Sequence, residues 1–189
     1  MEEKLKQQPS NHLKFVLFGP ESTGKTTLTK ALADHFGAAW VPEYLRTFAQ
    51  QKHDRQGGVI SEDEIMQIAK GQMALENDIR NPNTELLFCD TNLLEILVYA
   101  TYYFPNFTAP QLEEAVSRNY YDHYFLTYID TPWVADNLRD RPHDREEMFR
   151  TFEGELRRRN LPYTVLKGPF PVRLQTAIAS VEKLYKTKR

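Results

Sequence analysis

Short, largely apolar runs alternate along this chain with longer stretches whose apolar residues recur every three or four positions. Leu13-Lys14-Phe15-Val16-Leu17-Phe18, Leu86-Leu87-Phe88-Cys89-Asp90, Tyr124-Phe125-Leu126-Thr127-Tyr128-Ile129 and Tyr163-Thr164-Val165-Leu166 are runs of the first kind. They predict strands covered on both faces. Ala38-Ala39-Trp40-Val41, stopped by Pro42, predicts one more short strand. Helical stripes lie between the runs. Leu28, Ala31, Leu32 and Phe36 fall on one face of a helix from Gly24 to about Phe36, closed by Gly37. Ser61-Glu62-Asp63-Glu64 has the spacing of a capping box and opens a helix to about Arg80. Ile65, Ile68, Ala69, Gln72, Leu75 and Ile79 share a face of that helix, and Asn81-Pro82-Asn83 breaks it. Further helices are expected over Glu43 to about Gln51, Asn92 to about Phe104, Thr108 or Ala109 to about Tyr121, and about Asp144 to Asn160. A last one follows Gly168-Pro169-Phe170-Pro171. Residues 52–60, with Gly57-Gly58, read as a loop.

Strands alternating with helices imply a doubly wound, parallel α/β sheet with right-handed crossovers. Ligands gather at the carboxyl ends of the strands in such sheets. That edge would collect Gly19–Thr26, Glu43, Asp90, Asp130 and Gly168. Residues 1–12 read as a polar, loosely held arm before a single domain of residues 13–189, which no linker or internal repeat divides.

The first strand runs into Gly19-Pro20-Glu21-Ser22-Thr23-Gly24-Lys25-Thr26, which has the form G-x-x-x-x-G-K-[ST] of a phosphate-binding loop. Its glycines let the backbone curl so that N–H groups face a phosphate, and the helix that follows adds the partial positive charge of its N-terminus. Lys25 would reach the β- and γ-phosphates, and the Thr26 hydroxyl would ligate Mg²⁺. The nucleotide-binding set is therefore Gly19, Glu21, Ser22, Thr23, Gly24, Lys25, Thr26 and Thr27, joined by Arg145 and Gly168.

Asp90 ends an apolar strand, where an acidic residue can hold Mg²⁺ or take a proton from a substrate hydroxyl; capping the next helix is the plainer alternative. Asp130 ends the next strand in the same way, and a turn-forming role before Thr131-Pro132 is an equal reading. Glu43, Tyr44 and Arg46 follow the second strand. They place a carboxylate, a phenol and a guanidinium within four residues near the strand edge, where Glu43 could bind ribose hydroxyls or act as base and Arg46 could hold a phosphate; an ordinary solvated first turn is an equal reading. Arg139, Arg141 and Arg145 cluster around Pro142, as suits a lid that neutralises charge on a transferred phosphoryl group. Glu153 with Arg157 and Glu155 with Arg159 are instead i, i+4 pairs of a solvated face. Trp133 and Tyr128 lie near the fourth strand end. They could stack on a ring, although core packing is the commoner fate of such residues.

Composition narrows the partners. The chain has 189 residues, 41% hydrophobic and 26% charged, with a net charge of -2. That balance argues against bulk electrostatic binding of nucleic acid. No apolar run approaches the roughly 18 residues of a membrane span, and no signal-peptide core is evident, so a cytoplasmic protein is expected. Cys89 is the only cysteine, which precludes an intramolecular disulfide. The five histidines show no metal-ligand spacing.

Four segments together resemble a known family: Gly19–Thr26, Val41-Pro42-Glu43-Tyr44-Leu45-Arg46, Phe88-Cys89-Asp90-Thr91, and Asp130 to Asp140. In order and spacing they are similar to the ribosylnicotinamide kinase domain of the bifunctional bacterial NAD-biosynthesis regulator, and to related stand-alone AAA-type P-loop ATPases. The similarity covers nearly all of residues 13–185. It implies a five-stranded sheet in the order 2-3-1-4-5 and ATP- and Mg²⁺-dependent phosphorylation of nicotinamide riboside. It implies a catalytic and metal role for Asp90, puts Glu43 and Arg46 on the acceptor side and makes the Arg139–Arg145 loop a lid. Together with the residue-level reading above, the expected catalytic residues are Lys25, Asp90, Arg139 and Arg141, and the expected substrate-binding residues are Glu43, Tyr44, Arg46, Asp90 and Trp133. Family members that bind nicotinamide riboside can carry an aromatic residue directly before the Glu-Tyr pair, where this chain has Pro42. A nucleotide-dependent regulatory ATPase or GTPase and a deoxynucleoside or nucleoside monophosphate kinase stand as alternatives. The oligomeric state is left open.

Overall fold

Five strands, β1 (Leu13–Phe18), β2 (Ala39–Val41), β3 (Leu86–Asp90), β4 (His123–Thr127) and β5 (Tyr163–Leu166), pair in parallel in the order β2-β3-β1-β4-β5. This is the expected α/β sheet and the expected strand order. The computed structural model describes residues 2–56, 59–79, 85–133 and 144–188. Gly57-Gly58, the Asn81-Pro82-Asn83 break and two of the three arginines expected to form a lid, Arg139 and Arg141, lie outside the described residues. The helices are α1 (Lys25–Phe36), α2 (Tyr44–Gln56), α3 (Ile65–Asp78), α4 (Leu93–Tyr103), α5 (Pro110–Arg118), α6 (Arg145–Arg158) and α7 (Phe170–Lys188).

The two-residue period of a strand sorts the core into layers. Phe15 and Leu17 of β1, Phe88 of β3 and Phe125 of β4 face one side, where Leu28 and Leu32 of α1 and Ala177, Ile178 and Val181 of α7 cover them. Val16, Phe18, Cys89, Tyr124 and Leu126 face the other side, under Leu94 and Val98 of α4 and Phe149, Phe152 and Leu156 of α6. Both faces of β1 are buried from Phe15 to Phe18, which is why those four residues are apolar without alternation; Lys14, earlier in the strand, is the exception. A third cluster lies outside the sheet, where α3, α4 and α5 pack through Ile68, Met73, Leu97 and Leu112.

Several boundaries differ from expectation by a few residues, and three of them are informative. β4 stops at Thr127 rather than Ile129. Thr127 donates its hydroxyl to the Phe18 carbonyl at 3.2 Å, and the chain then turns so that the Asp130 carboxylate reaches the Gly168 N–H at 2.6 Å. α5 ends at Arg118, short of Tyr121, because Tyr121 is pulled into the core and donates its hydroxyl to Glu76 at 2.8 Å. α2 runs on to Gln56, past the expected Gln51.

The N-terminal arm is a larger correction. It is not loosely held: a 3-10 turn over Glu2–Leu5 puts Leu5, 2% exposed, into the α3–α5 cluster. Gln7 follows, donating from its amide to Glu76 at 2.7 Å and accepting the Tyr120 N–H at 2.9 Å. A single apolar residue in a polar segment gave no periodic signal, yet it fills a site between three other elements.

Candidate active site

The site begins where β1 ends. Its backbone takes positive φ at Gly19 (133°), Ser22 (58°) and Gly24 (85°), the left-handed steps that curl the loop before α1. Gly19 is required sterically as well, since a Cβ there would lie 2.8 Å from the Thr127 Oγ1. The Thr23 hydroxyl donates to the Pro20 carbonyl at 2.7 Å and sits 2.6 Å from the Thr127 hydroxyl, so the loop is tied to the end of β4.

Lys25 is buried and folded back over the loop. Its Nζ donates to the Gly19 carbonyl at 2.6 Å and the Pro20 carbonyl at 3.0 Å, and lies 3.1 Å from Glu95 Oε1. Burial by itself would lower the Lys25 pKa, but the carboxylates of Glu95, Glu43 and Asp90 hold it above its ordinary value. Glu95, in the first turn of α4, is 1% exposed and also accepts the Gly19 N–H at 3.2 Å. Desolvation pushes its pKa up to about 8 against the opposing pull of Lys25.

Asp90 and Thr26 meet. The Thr26 hydroxyl donates to Asp90 Oδ2 at 2.5 Å. Asp90 is 1% exposed, and its Oδ1 is buried with no hydrogen-bond partner among the described residues. Burial raises the Asp90 pKa, while the Thr26 hydrogen bond and the charges of Lys25, Arg46 and Lys30 oppose the rise. One free buried carboxylate oxygen beside a loop threonine fits Mg²⁺, which takes one or two protein oxygens and completes its shell with phosphates and water. Among the described residues no group of three or more His, Cys, Asp or Glu gathers to hold a metal, so a protein-only cage is not what the site offers. The next residue, Thr91, is held at φ 83°, an uncommon backbone state for a β-branched side chain. Asn92 then caps α4, accepting the Glu95 N–H at 3.2 Å, so the capping role weighed for Asp90 belongs to Asn92.

Glu43 precedes α2, and its flanking backbone is braced by fully buried Gln72. That side chain accepts the Tyr44 N–H at 2.8 Å and donates to the Pro42 carbonyl at 3.2 Å. The Tyr44 ring is spent on packing: it lies against Gly71 of α3, where a Cβ would come within 2.2 Å of it. Arg46 is exposed on the first turn of α2. Arg145 does reach the loop, donating to the Thr131 carbonyl at 2.9 Å and the Ser22 carbonyl at 3.4 Å. Its guanidinium lies 5.8 Å from the centre of the Trp133 ring. Pro20, Glu21, Tyr99, Tyr103, Arg145 and Met148 line a shallow cleft next to the loop. Gly168 lies across the sheet end with φ 90°, its N–H on Asp130 and its carbonyl accepting from Arg173 Nε at 2.7 Å.

The sequence-level picture thus assembles Lys25, Thr26, Asp90 and Arg145 at one place, with Glu43 close enough to act electrostatically on Lys25 and Glu95. Glu95, Gln72, Tyr99 and Arg173 carry no motif or strand-end signal in the sequence; Gln72 is marked there only as the one polar residue in the apolar stripe of α3.

A family model described as an AAA domain matches residues 14–173, which span the phosphate loop, Asp90 and Arg173. The chain belongs to this AAA domain family. No curated protein matches it by sequence. Among solved structures, the AAA domain superposes on the NadR protein in complex with NR, with a TM-score of 0.79 at 22% identity, over 92% of this chain and 51% of that one. A NadR complex with NAD and AMP-PNP gives 0.76 at 20%, over 92% and 49%. The chain therefore spans about half the length of either NadR structure. Thymidylate kinase from Ehrlichia chaffeensis matches with a TM-score of 0.62 at 14% identity, covering 89% of this chain and 97% of that one. At these identities the likeness is one of fold, a P-loop α/β domain. No helix among the described residues is long and apolar enough to cross a membrane.

Proposed function

We propose that this AAA domain is an ATP- and Mg²⁺-dependent phosphotransferase acting on the hydroxyl of a nucleoside-like acceptor, with nicotinamide riboside the foremost candidate. The observation that carries this reading is Asp90: one oxygen bonded to Thr26, the other buried and unpartnered, beside a buried loop lysine. Thr26 and Asp90 would hold Mg²⁺, which supplies charge neutralisation at the phosphates. Lys25, released from the Gly19 and Pro20 carbonyls, would bind the β- and γ-phosphate oxygens. The N–H groups from Ser22 to Thr27 would cradle the rest, and the Arg139–Arg145 lid would cover the transferred group.

In the reaction the acceptor oxygen forms a new bond to the γ-phosphorus, the bond to the ADP oxygen breaks, and the hydroxyl proton leaves. Glu43, close enough to act electrostatically on Lys25 and Glu95, would take that proton, while Asp90 would serve Mg²⁺. Arg46 would steady the acceptor. Tyr99 and Tyr103, which line the cleft beside Pro20 and Glu21, would offer aromatic surface to a flat ring, which Pro42 does not. The NadR protein bound to NR shares this fold, which supports the choice of acceptor.

The test is an acceptor panel with ATP and Mg²⁺, read by mass spectrometry. Nicotinamide riboside is expected to give the mononucleotide, and Lys25→Ala to lower the rate by at least about 10²-fold, the scale of losing a main electrostatic stabiliser. Product from thymidine, deoxyadenosine or a nucleoside monophosphate instead would reassign the acceptor. Slow hydrolysis of ATP or GTP that no acceptor stimulates would point to a regulatory nucleotide switch and sink the kinase reading.

A further inference from the structure

Arg173, in the first turn of α7, is the largest fully buried side chain of the molecule's described part, at 1% exposure. Its guanidinium serves four acceptors in three segments. Nη1 donates to the Thr23 carbonyl of the phosphate loop at 2.8 Å. Nη2 donates to the Tyr128 carbonyl at 3.0 Å and pairs with Asp130 just past β4. Nε donates to the Gly168 carbonyl of the β5–α7 loop at 2.7 Å. Asp130 closes the circuit through its second oxygen on the Gly168 N–H, at 2.6 Å.

We infer, on the nucleotide-binding reading above, that Arg173 is a positioning residue for the nucleotide: it sets the peptide between Thr23 and Gly24 and joins the phosphate loop to the β5–α7 loop. The geometry gives the reason. A trans peptide is planar, with its C=O and N–H pointing opposite ways. Pinning the Thr23 carbonyl on Arg173 therefore aims the Gly24 N–H away from Arg173, and this N–H belongs to the phosphate cradle. Gly24 has φ 85°, and glycine resists rotation of that peptide weakly, so an external anchor is needed to select one orientation. A purely packing role would be served as well by an apolar side chain of similar volume. An arginine that spends its donors on three backbone carbonyls of loops at one sheet edge fits a device for holding those loops in register.

The experiment measures ATP and inorganic tripolyphosphate binding to the full chain by calorimetry with Mg²⁺, for wild type, Arg173→Met, Arg173→Lys and Asp130→Asn. Losing a hydrogen bond to a charged group predicts about a tenfold or greater loss of ATP affinity in Arg173→Met. Tripolyphosphate binding should weaken in parallel, and Arg173→Lys should recover part of the loss. In turnover assays the KM for ATP should rise while the acceptor KM stays put. A folded Arg173→Met protein with a lower melting temperature but wild-type ATP affinity would overturn the assignment and leave the kinase reading standing. If that variant does not fold, Asp130→Asn decides, with about threefold weaker ATP binding in support and unchanged binding against. Wild-type protein that binds no nucleotide would remove both readings together.

Discussion

At the residue scale, the buried carboxylates around Lys25 set how this protein responds to pH. Glu95 titrates near 8 in the folded chain, against about 4.5 when unfolded. Between those values the folded state holds a proton that the unfolded state has released. The contribution of this group to stability in the absence of nucleotide therefore falls as pH rises from about 4.5 to about 8, with a limiting slope of about 1.4 kcal/mol per pH unit, and His123, whose pKa burial lowers, opposes it at the acid end of that range. Glu95→Gln should flatten the decline without removing it, because the Asp90 pKa is raised too. Calorimetric melting of both proteins at pH 5, 6, 7 and 8 checks this. A wild-type midpoint that climbs relative to the variant over that range would contradict the assignment of the proton. Lys25, Thr26 and Asp90 were legible in the sequence because motif spacing and a strand end mark them. Glu95 was not: it lies 76 residues from Gly19, and within α4 it reads as one polar residue in an apolar helix.

At the element scale, the contact of α2 with α3 places Glu43, and it depends on one missing side chain. Gly71 lets the Tyr44 ring lie against the α3 backbone, with Gln72 bonding the chain on both sides of Glu43. Gly71→Ala should destabilise the protein by about 1–2 kcal/mol, because overpacking exceeds the gain of up to about 1 kcal/mol in helix propensity. In a Tyr44→Ala background the clash is gone and the same substitution should stabilise. Chemical denaturation of the four proteins closes the cycle, and an equal effect in both backgrounds would show that the ring does not need the glycine. The helix boundaries themselves were readable to within a few residues wherever a local cap exists. At Ser61, Glu64 accepts both the Ser61 N–H and its hydroxyl at 2.9 Å, within the capping box expected there. Of the boundaries that moved, those at Thr127 and Arg118 are where a distant partner took the chain.

At the scale of the whole molecule, the two ends of the sheet have separate duties. The carboxyl ends carry the phosphate loop, Asp90 and the Arg173 circuit. The opposite ends carry the N-terminal arm and a buried network in which Lys14 Nζ lies 3.0 Å from Glu76, and Glu76 also accepts from Tyr121 and Gln7. Deleting residues 1–8 removes Leu5 from its site and leaves Glu76 short of one donor. The expected loss is about 3 kcal/mol, from the burial of one leucine and a charge-assisted hydrogen bond, or a melting temperature lower by about 6–12 °C. Nucleotide affinity at 25 °C should not change. A truncated chain that melts with the full one, or that loses nucleotide binding while folded, would refute this division.

What the sequence determined by itself was what local rules encode. Apolar runs specify strands, three-to-four spacing specifies helices, and the glycine-rich loop specifies a phosphate cradle, because each depends on neighbours within one or two turns of chain. The order of the strands also followed, through the family likeness, and the sheet bears it out. Tertiary structure alone decided which buried groups share a charge and which carbonyls share a donor. Arg173 finds Thr23 across 150 residues of chain, and no local pattern announces such a pair. Burial then sets the energies: in water those groups would be solvated and independent, whereas in the interior each polar atom needs its partner.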